Sequence, residues 1–177
     1  MKKVAILVGS VRPNRRSAQV ADWLKVQLMK STKIHFDIID LKKVVLPMMD
    51  EPLLPATGLY TRQKTKQWSK LIQGYDGFVF LFPQYNGGYP AVMKNAIDYL
   101  AKEWQGKPVS LVTFGGHGGV QAQIAMRLVV TTLRMKLLAV NPQINLMPSD
   151  SLAHADWRLH TYDDEVALLR REFENVL

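Results

Sequence analysis

Five residues near the N-terminus have side chains suited to holding an anion: Ser10, Arg12, Arg15, Arg16 and Ser17, all within 9-GSVRPNRRS-17. An apolar run, 4–8, leads into this loop, and an amphipathic helical pattern follows it. A buried strand, a short polar loop and a helix together present backbone N–H groups to a phosphate. The three arginines lie at or just before the expected helix start. Each cation there opposes the positive end of the helix dipole by roughly 0.3–1 kcal/mol, and a bound anion removes that penalty. Two more loops carry suitable residues, 83-PQYNGGYP-90 and 115-GGHGG-119. Glycine lets backbone approach a flat ligand and adopt positive φ. Tyr85 and Tyr89 offer aromatic faces, and Asn86 both donates and accepts. His117, flanked by glycines, reads as an exposed or ring-contacting residue rather than a general base. Together the three loops suit a planar ring carrying a phosphate.

The elements that must position these loops follow from hydrophobic periodicity. The expected order is a strand over 4–8, a helix over 17–29, a strand over 34–40 and a long Pro-rich connection over 41–58. A helix over 61–73, a strand over 77–82, a helix from Pro90 to about 101 and a strand over 108–114 come next. A helix over 120–135, a fifth strand within 137–141, an irregular stretch over 142–162 and a helix over 163–175 complete the chain. On the first helix Val20, Ala21, Trp23, Leu24, Val26 and Leu28 form the apolar face. Gly74 is placed to end the second helix. Strand and helix alternate throughout, which implies a parallel sheet covered by helices on both faces with right-handed crossovers. The expected fold is α/β, a flavodoxin-like three-layer sandwich whose five-stranded parallel sheet has the order 2-1-3-4-5. The chain reads as a single domain over 1–177. In such a sheet the ligand lies beyond the carboxyl ends of the strands, near the switch point between strands 1 and 3. The loops after strands 1, 3 and 4 all fall on that rim.

Composition narrows the function classes. The chain has 177 residues, 47% hydrophobic and 21% charged, enough for one domain with a sizeable core. It has no cysteine, which excludes disulfides, thiolate metal sites and a cysteine nucleophile. Its four histidines show no metal-ligand spacing, so no metal is expected. The net charge of +8 favours anionic partners. The charge forms no continuous helical stripe or basic tail, so a nucleotide is expected rather than nucleic acid. No apolar run is long enough to span a bilayer. Met1-Lys2-Lys3 leads into a strand and not a signal peptide, and the expected location is the cytoplasm.

The motifs GSVRPNRRS, PQYNGGYPAVMKNAIDYL and FGGHGG resemble the NADPH-dependent FMN reductase family, a group of flavodoxin-like quinone, azo-dye and chromate reductases. LPMMDEPLLP is similar to a stretch that the family carries after strand 2. The resemblance covers roughly residues 4–135 and, more loosely, the last helix. It implies that Ser10, Arg12, Arg15 and Ser17 hold the phosphate of FMN. It implies that Pro83, Gln84, Tyr85, Asn86 and Gly87 line the isoalloxazine ring, and that Gly115, Gly116 and His117 approach its other side or edge. One departure is visible, for Gln84 stands where the family commonly has Glu. A neutral amide still forms hydrogen bonds, so FMN binding is expected to persist.

The activity implied is ping-pong hydride transfer. NADPH or NADH reduces FMN, and a small-molecule acceptor such as a quinone, azo compound, flavin or metal oxyanion takes two electrons. Flavin chemistry needs no catalytic acid, base or nucleophile from the protein, and the sequence offers no such constellation. The resemblance also implies a homodimer or homotetramer, to which the apolar Pro-rich segment 44–55 lends support. A cysteine-dependent phosphatase of similar fold is excluded by the missing nucleophile. A response regulator is excluded because Gly9-Ser10 and Phe82-Pro83 stand where it needs acidic residues. A flavodoxin-type electron carrier or a non-catalytic FMN-binding sensor is the alternative; carriers of that type are usually acidic, unlike this chain.

Overall fold

The computed structural model describes residues 1–146 and 155–177. Its framework begins with β1 (Lys2–Val8), whose residues Val4 to Val8 are all within 1% of full burial. Such a strand can only be central, and β1 is paired in parallel with β2 (Ile34–Asp40) on one side and β3 (Gly77–Pro83) on the other. β4 (Pro108–Gly115) and then β5 (Lys136–Leu137) extend the sheet beyond β3, giving the order β2-β1-β3-β4-β5 expected of a doubly wound fold. The helices are α1 (Ser17–Leu28), α2 (Leu41–Val44), α3 (Gln63–Gln73), α4 (Ala91–Asp98), α5 (Val120–Thr132), α6 (Ala155–His160) and α7 (Asp163–Val176).

The period of two along each strand separates two cores. Val4, Ile6 and Val8 of β1, with Val79, Leu81 and Val112, face α1 and α7 through Val20, Leu24, Leu28, Leu169 and Phe173. Ala5 and Leu7, with Phe78, Phe80 and Leu111, face α3, α4 and α5 through Trp68, Ile72, Met93, Ile97 and Met126. Each fully buried Leu, Ile or Val contributes about 1.5–3 kcal/mol by removal from water. Val26, expected on the apolar face of α1, is 63% exposed, because it projects from the side opposite Val20 and Leu24.

The fifth strand differs from expectation. It runs as two short pieces, β5 (Lys136–Leu137) against Pro108–Val109 and β6 (Gln143–Asn145) against Thr113–Gly115. Between them Asn141 replaces the ladder with its side chain. Its Oδ1 accepts from the Leu111 N–H at 2.9 Å, and its Nδ2 donates to the Leu138 carbonyl at 2.7 Å. The next residue, Pro142, has no N–H to offer the ladder. β6 and α6 thus lie within the stretch expected to be irregular, of which 147–154 falls outside the described residues. Gly74 ends α3 with φ −70°, a conformation open to any residue. α4 and α5 each stop about three residues earlier than their patterns suggested.

The Pro-rich connection is held in place. Asp40 caps α2 through the Lys42 N–H at 3.0 Å. Asn95 of α4 then grips the chain from both sides, donating to Pro47 O at 2.7 Å and accepting from Met49 N at 3.0 Å. Glu51 accepts from the Thr61 and Arg62 N–H groups, both at 2.9 Å, just before α3.

Asn141→Ala leaves the Leu111 N–H without its partner at the centre of the sheet. A loss of about 1–3 kcal/mol in urea unfolding is expected, with unchanged m. A change under 0.5 kcal/mol would show that water replaces the side chain.

Candidate functional site

The carboxyl ends of β1, β3 and β4 carry the three loops. Gly9 continues β1 by donating to Leu81 O at 2.8 Å. A Cβ on Gly9 would lie 2.6 Å from the Met93 methyl and 3.2 Å from the Phe82 Cβ, so the backbone packs here with no room for a side chain. The chain then turns through Asn14, which has φ +46°, and enters α1. The start of α1 is bare. Arg16 at its N-cap makes no side-chain capping bond, and its first turn holds no acidic residue. Ser17, its first residue, is fully buried, and its Oγ has no hydrogen-bond partner. A buried hydroxyl without a partner costs about 1–3 kcal/mol, a penalty that a bound acceptor would relieve.

The arginines of this loop have separate roles. Arg12 is exposed and lines the cleft. Arg15 is largely buried and pairs with Asp40 at the end of β2, its Nη1 donating to Oδ1 at 2.7 Å and its Nη2 to Oδ2. The Arg15 guanidinium also donates to the Ser10 carbonyl. Burial pushes the Asp40 carboxyl up, but hydrogen bonds from Arg15 and the Lys42 N–H, with the charges of Arg15 and Lys43, outweigh burial and hold it below its ordinary value. A carboxyl depressed in this way contributes stability above about pH 4, its ordinary range, and loses it as pH falls through the lower folded value.

After β3, Tyr85 and Gly88 exchange backbone hydrogen bonds at 2.8 and 2.9 Å around Asn86 and Gly87. Both central residues have positive φ, +48° and +78°. This is the two-residue turn that Asn-Gly favours, and it leaves Asn86 and Gly87 exposed at its tip. The Tyr85 hydroxyl lies 2.9 Å from Ser10 Oγ, which links the first two loops. Gln84 links the second to the third. Its Oε1 accepts from the Gln121 and Ala122 N–H groups at 3.1 and 3.2 Å, and its Nε2 donates to Gln121 Oε1 at 3.0 Å. Gln84 therefore caps α5, whose own N-cap residue, Gly119, has no side chain. In the third loop Gly118 and Gly119 have φ +63° and +73°. A Cβ on either would come within 3.0 Å of Gln143 or Thr113. His117 is exposed.

These loops enclose an open cleft of about 410 Å³. Of the residues expected at the site, Ser10, Arg12, Arg15, Ser17, Pro83, Gln84, Tyr85, Gly115 and Gly116 line it. Asn86, Gly87 and His117 do not, and stand on the exposed ends of their loops. Arg16, also read as suited to an anion, lines the cleft too, and Asn14, Phe114 and Leu146 line it without having been singled out. Its lining is therefore polar and cationic at the helix start and also includes the apolar side chains of Phe114 and Leu146. A larger hollow of about 630 Å³ follows the open edge of β2, with Arg15 and Asp40 in its wall. It has no bare helix start, which makes the smaller cleft the candidate site. Among the described residues no cluster of His, Cys, Asp or Glu could hold a metal, and no helix is long and apolar enough to cross a membrane.

Known proteins share the family and the fold. The family model for NADPH-dependent FMN reductase matches residues 2–145. An NAD(P)H-dependent FMN reductase of Schizosaccharomyces pombe, C4B3.06c, is 41% identical over 152 residues, covering 85% of this chain and 76% of the relative. The NAD(P)H-dependent FMN reductase LOT6 of Saccharomyces cerevisiae is 38% identical over 147 residues, 77% of each chain. FerB of Paracoccus denitrificans, a flavoenzyme NAD(P)H:(acceptor) oxidoreductase, shares the fold with a TM-score of 0.70 at 20% identity, over 97% of this chain and 99% of its own. The doubly wound fold and its rim cleft define a flavodoxin-like protein. Within that class the chain belongs to the NADPH-dependent FMN reductase family.

Gln84→Ala removes the cap on α5 and lowers stability by about 1 kcal/mol, or about 2–4 °C in Tm. Gln84→Glu keeps the cap and adds favourable charge at the helix start, and the exposed Gln121 amide can turn to donate to the carboxylate, so its Tm at pH 7 equals or exceeds that of the native chain. A Glu variant as unstable as the Ala variant would contradict the capping role.

Proposed function

We propose that the cleft holds FMN, with the phosphate at the start of α1 and the ring between the loops after β3 and β4. The observation that carries this reading is the buried, unpartnered hydroxyl of Ser17 at a helix start without cap or carboxylate. Ser17 Oγ would donate to a phosphate oxygen, the first N–H groups of α1 would supply further donors, and Arg12 would balance the charge. Pro83, Tyr85, Gly115 and Gly116 would flank the ring, and Phe114 and Leu146 would keep water from its inner edge. Gln84 acts one step back, by fixing the start of α5 beside the ring loop. Asn86, Gly87 and His117 stand outside this wall, where a second ligand would approach.

Bound there, FMN would supply the hydride and two-electron chemistry that joins NADPH or NADH to a small acceptor, such as a quinone, azo compound, flavin or metal oxyanion, in ping-pong order. The protein residues would bind, orient and exclude water, and this reading requires none of them as acid, base or nucleophile. We further propose that the chain acts as one domain in the cytoplasm and assembles as a homodimer or homotetramer. The exposed apolar side chains of the Pro-rich connection, among them Met48, Leu53 and Leu54, support such an assembly.

Two measurements test the reading. Ser17→Ala should leave the melting temperature of the FMN-free chain unchanged or raise it, since no hydrogen bond is lost. The same change should weaken FMN binding about tenfold. Undiminished affinity would move the phosphate away from Ser17. The FMN-reconstituted protein should lose its visible flavin absorbance when NADPH or NADH is added without air. A spectrum unchanged by both would make the chain a carrier or sensor.

A further inference from the structure

Arg15 carries a basic side chain in an anion-binding loop, yet its guanidinium is committed elsewhere. It forms a two-point pair with Asp40 and also donates to Ser10 O. Ser10 and Arg15 bracket the stretch that turns through Asn14 into the bare start of α1. The one guanidinium thus closes the loop upon itself and fastens it to the end of β2. Asp40 fastens the other way as well, because it caps α2 through the Lys42 N–H at 3.0 Å. Both members of the pair are nearly enclosed, with about 11 and 12% of their side chains exposed. Arg15 lines both the cleft and the larger hollow at the β2 edge, while Asp40 lines the larger hollow.

Asp40 brings a negative charge close to the proposed phosphate site. Arg15 cancels that charge where it stands, at the outer wall of the loop. The carboxylate that would repel a phosphate becomes the anchor of the loop that receives it. We infer that Arg15 is a positioning residue for the phosphate, acting through Asp40 and the Ser10 carbonyl, and not a phosphate ligand. This inference rests on the FMN reading above.

The two roles predict opposite signs for one substitution. Asp40→Asn keeps an oxygen to cap α2 but loses the two-point charged pair. If Arg15 positions the loop, FMN binding weakens, by about tenfold for a largely buried pair. If Arg15 is a phosphate ligand held back by Asp40, removing the negative charge frees it and FMN binds as well or better. Riboflavin, which lacks the phosphate, separates a local effect from a general one. In Asp40→Asn the ratio of FMN to riboflavin affinity should fall about tenfold, with riboflavin affinity itself unchanged. Arg15→Lys retains the charge but not the fork that reaches Asp40 twice and Ser10 once. It should lose FMN affinity as Asp40→Asn does, and it decides the question if the Asp40 variant does not fold. The double variant Arg15→Gln/Asp40→Asn should be no worse than the weaker single variant.

The test is flavin fluorescence quenching at equilibrium on the native chain and these variants, each with its melting temperature measured. Lower FMN selectivity in Asp40→Asn and Arg15→Lys supports the inference. Native binding together with equal or tighter FMN binding by Asp40→Asn, or by Arg15→Lys, overturns it. A native chain that quenches no FMN overturns the FMN reading itself, and this inference falls with it.

Discussion

A helix needs partners for the N–H groups of its first turn, which have no carbonyl within the helix to bond. In α1 no side chain from the cap position meets that need, the first turn holds no carboxylate, and a fully buried hydroxyl beside it also has no partner. The protein thus holds, at the end of a central strand, a concentration of donors that an external acceptor would complete. A phosphate supplies up to three strong acceptor oxygens and the negative charge that the helix end favours. Much of the remaining structure keeps this arrangement from collapsing upon itself.

That support comes from three directions. From below, β1 is enclosed by β2 and β3, and Gly9 packs against Met93 too tightly for any side chain. From the side, the Arg15–Asp40 pair ties the loop to β2, while Asp40 and Asn95 order the connection that follows. From across the cleft, the Tyr85 hydroxyl meets Ser10, and Gln84 secures α5. The three loops are thus one hydrogen-bonded assembly, although each is anchored on a different strand. The neutral Gln84 performs with its amide oxygen the capping that a carboxylate would also perform, so the exchange of Glu for Gln preserves the geometry at this position.

The sheet was legible because its central strands are continuous apolar runs, and such runs fit only a strand covered on both faces. The cleft loops were legible from their position after those strands and from their Gly, Ser and Arg content. The split of the fifth strand was not, because it depends on the Asn141 side chain reaching the Leu111 N–H, a contact between residues thirty apart. Asp40 went unnoticed because an acid at a strand end reads as a local helix cap, and its pairing with Arg15 exists only in three dimensions. The exposed Asn86-Gly87 tip was readable in principle, since that dipeptide favours a two-residue turn that carries its central residues away from the strand ends. Arg15 shows the limit most directly. Its residue type suits an anion site, and only the folded chain shows that its guanidinium is also paired with Asp40.

The most direct test of this account is a crystal structure of the chain loaded with FMN. The account predicts a phosphate oxygen within hydrogen-bond distance of Ser17 Oγ and the first N–H groups of α1, with Arg15 still paired to Asp40. A phosphate bound away from Ser17, or held by an Arg15 that has left Asp40, would contradict it.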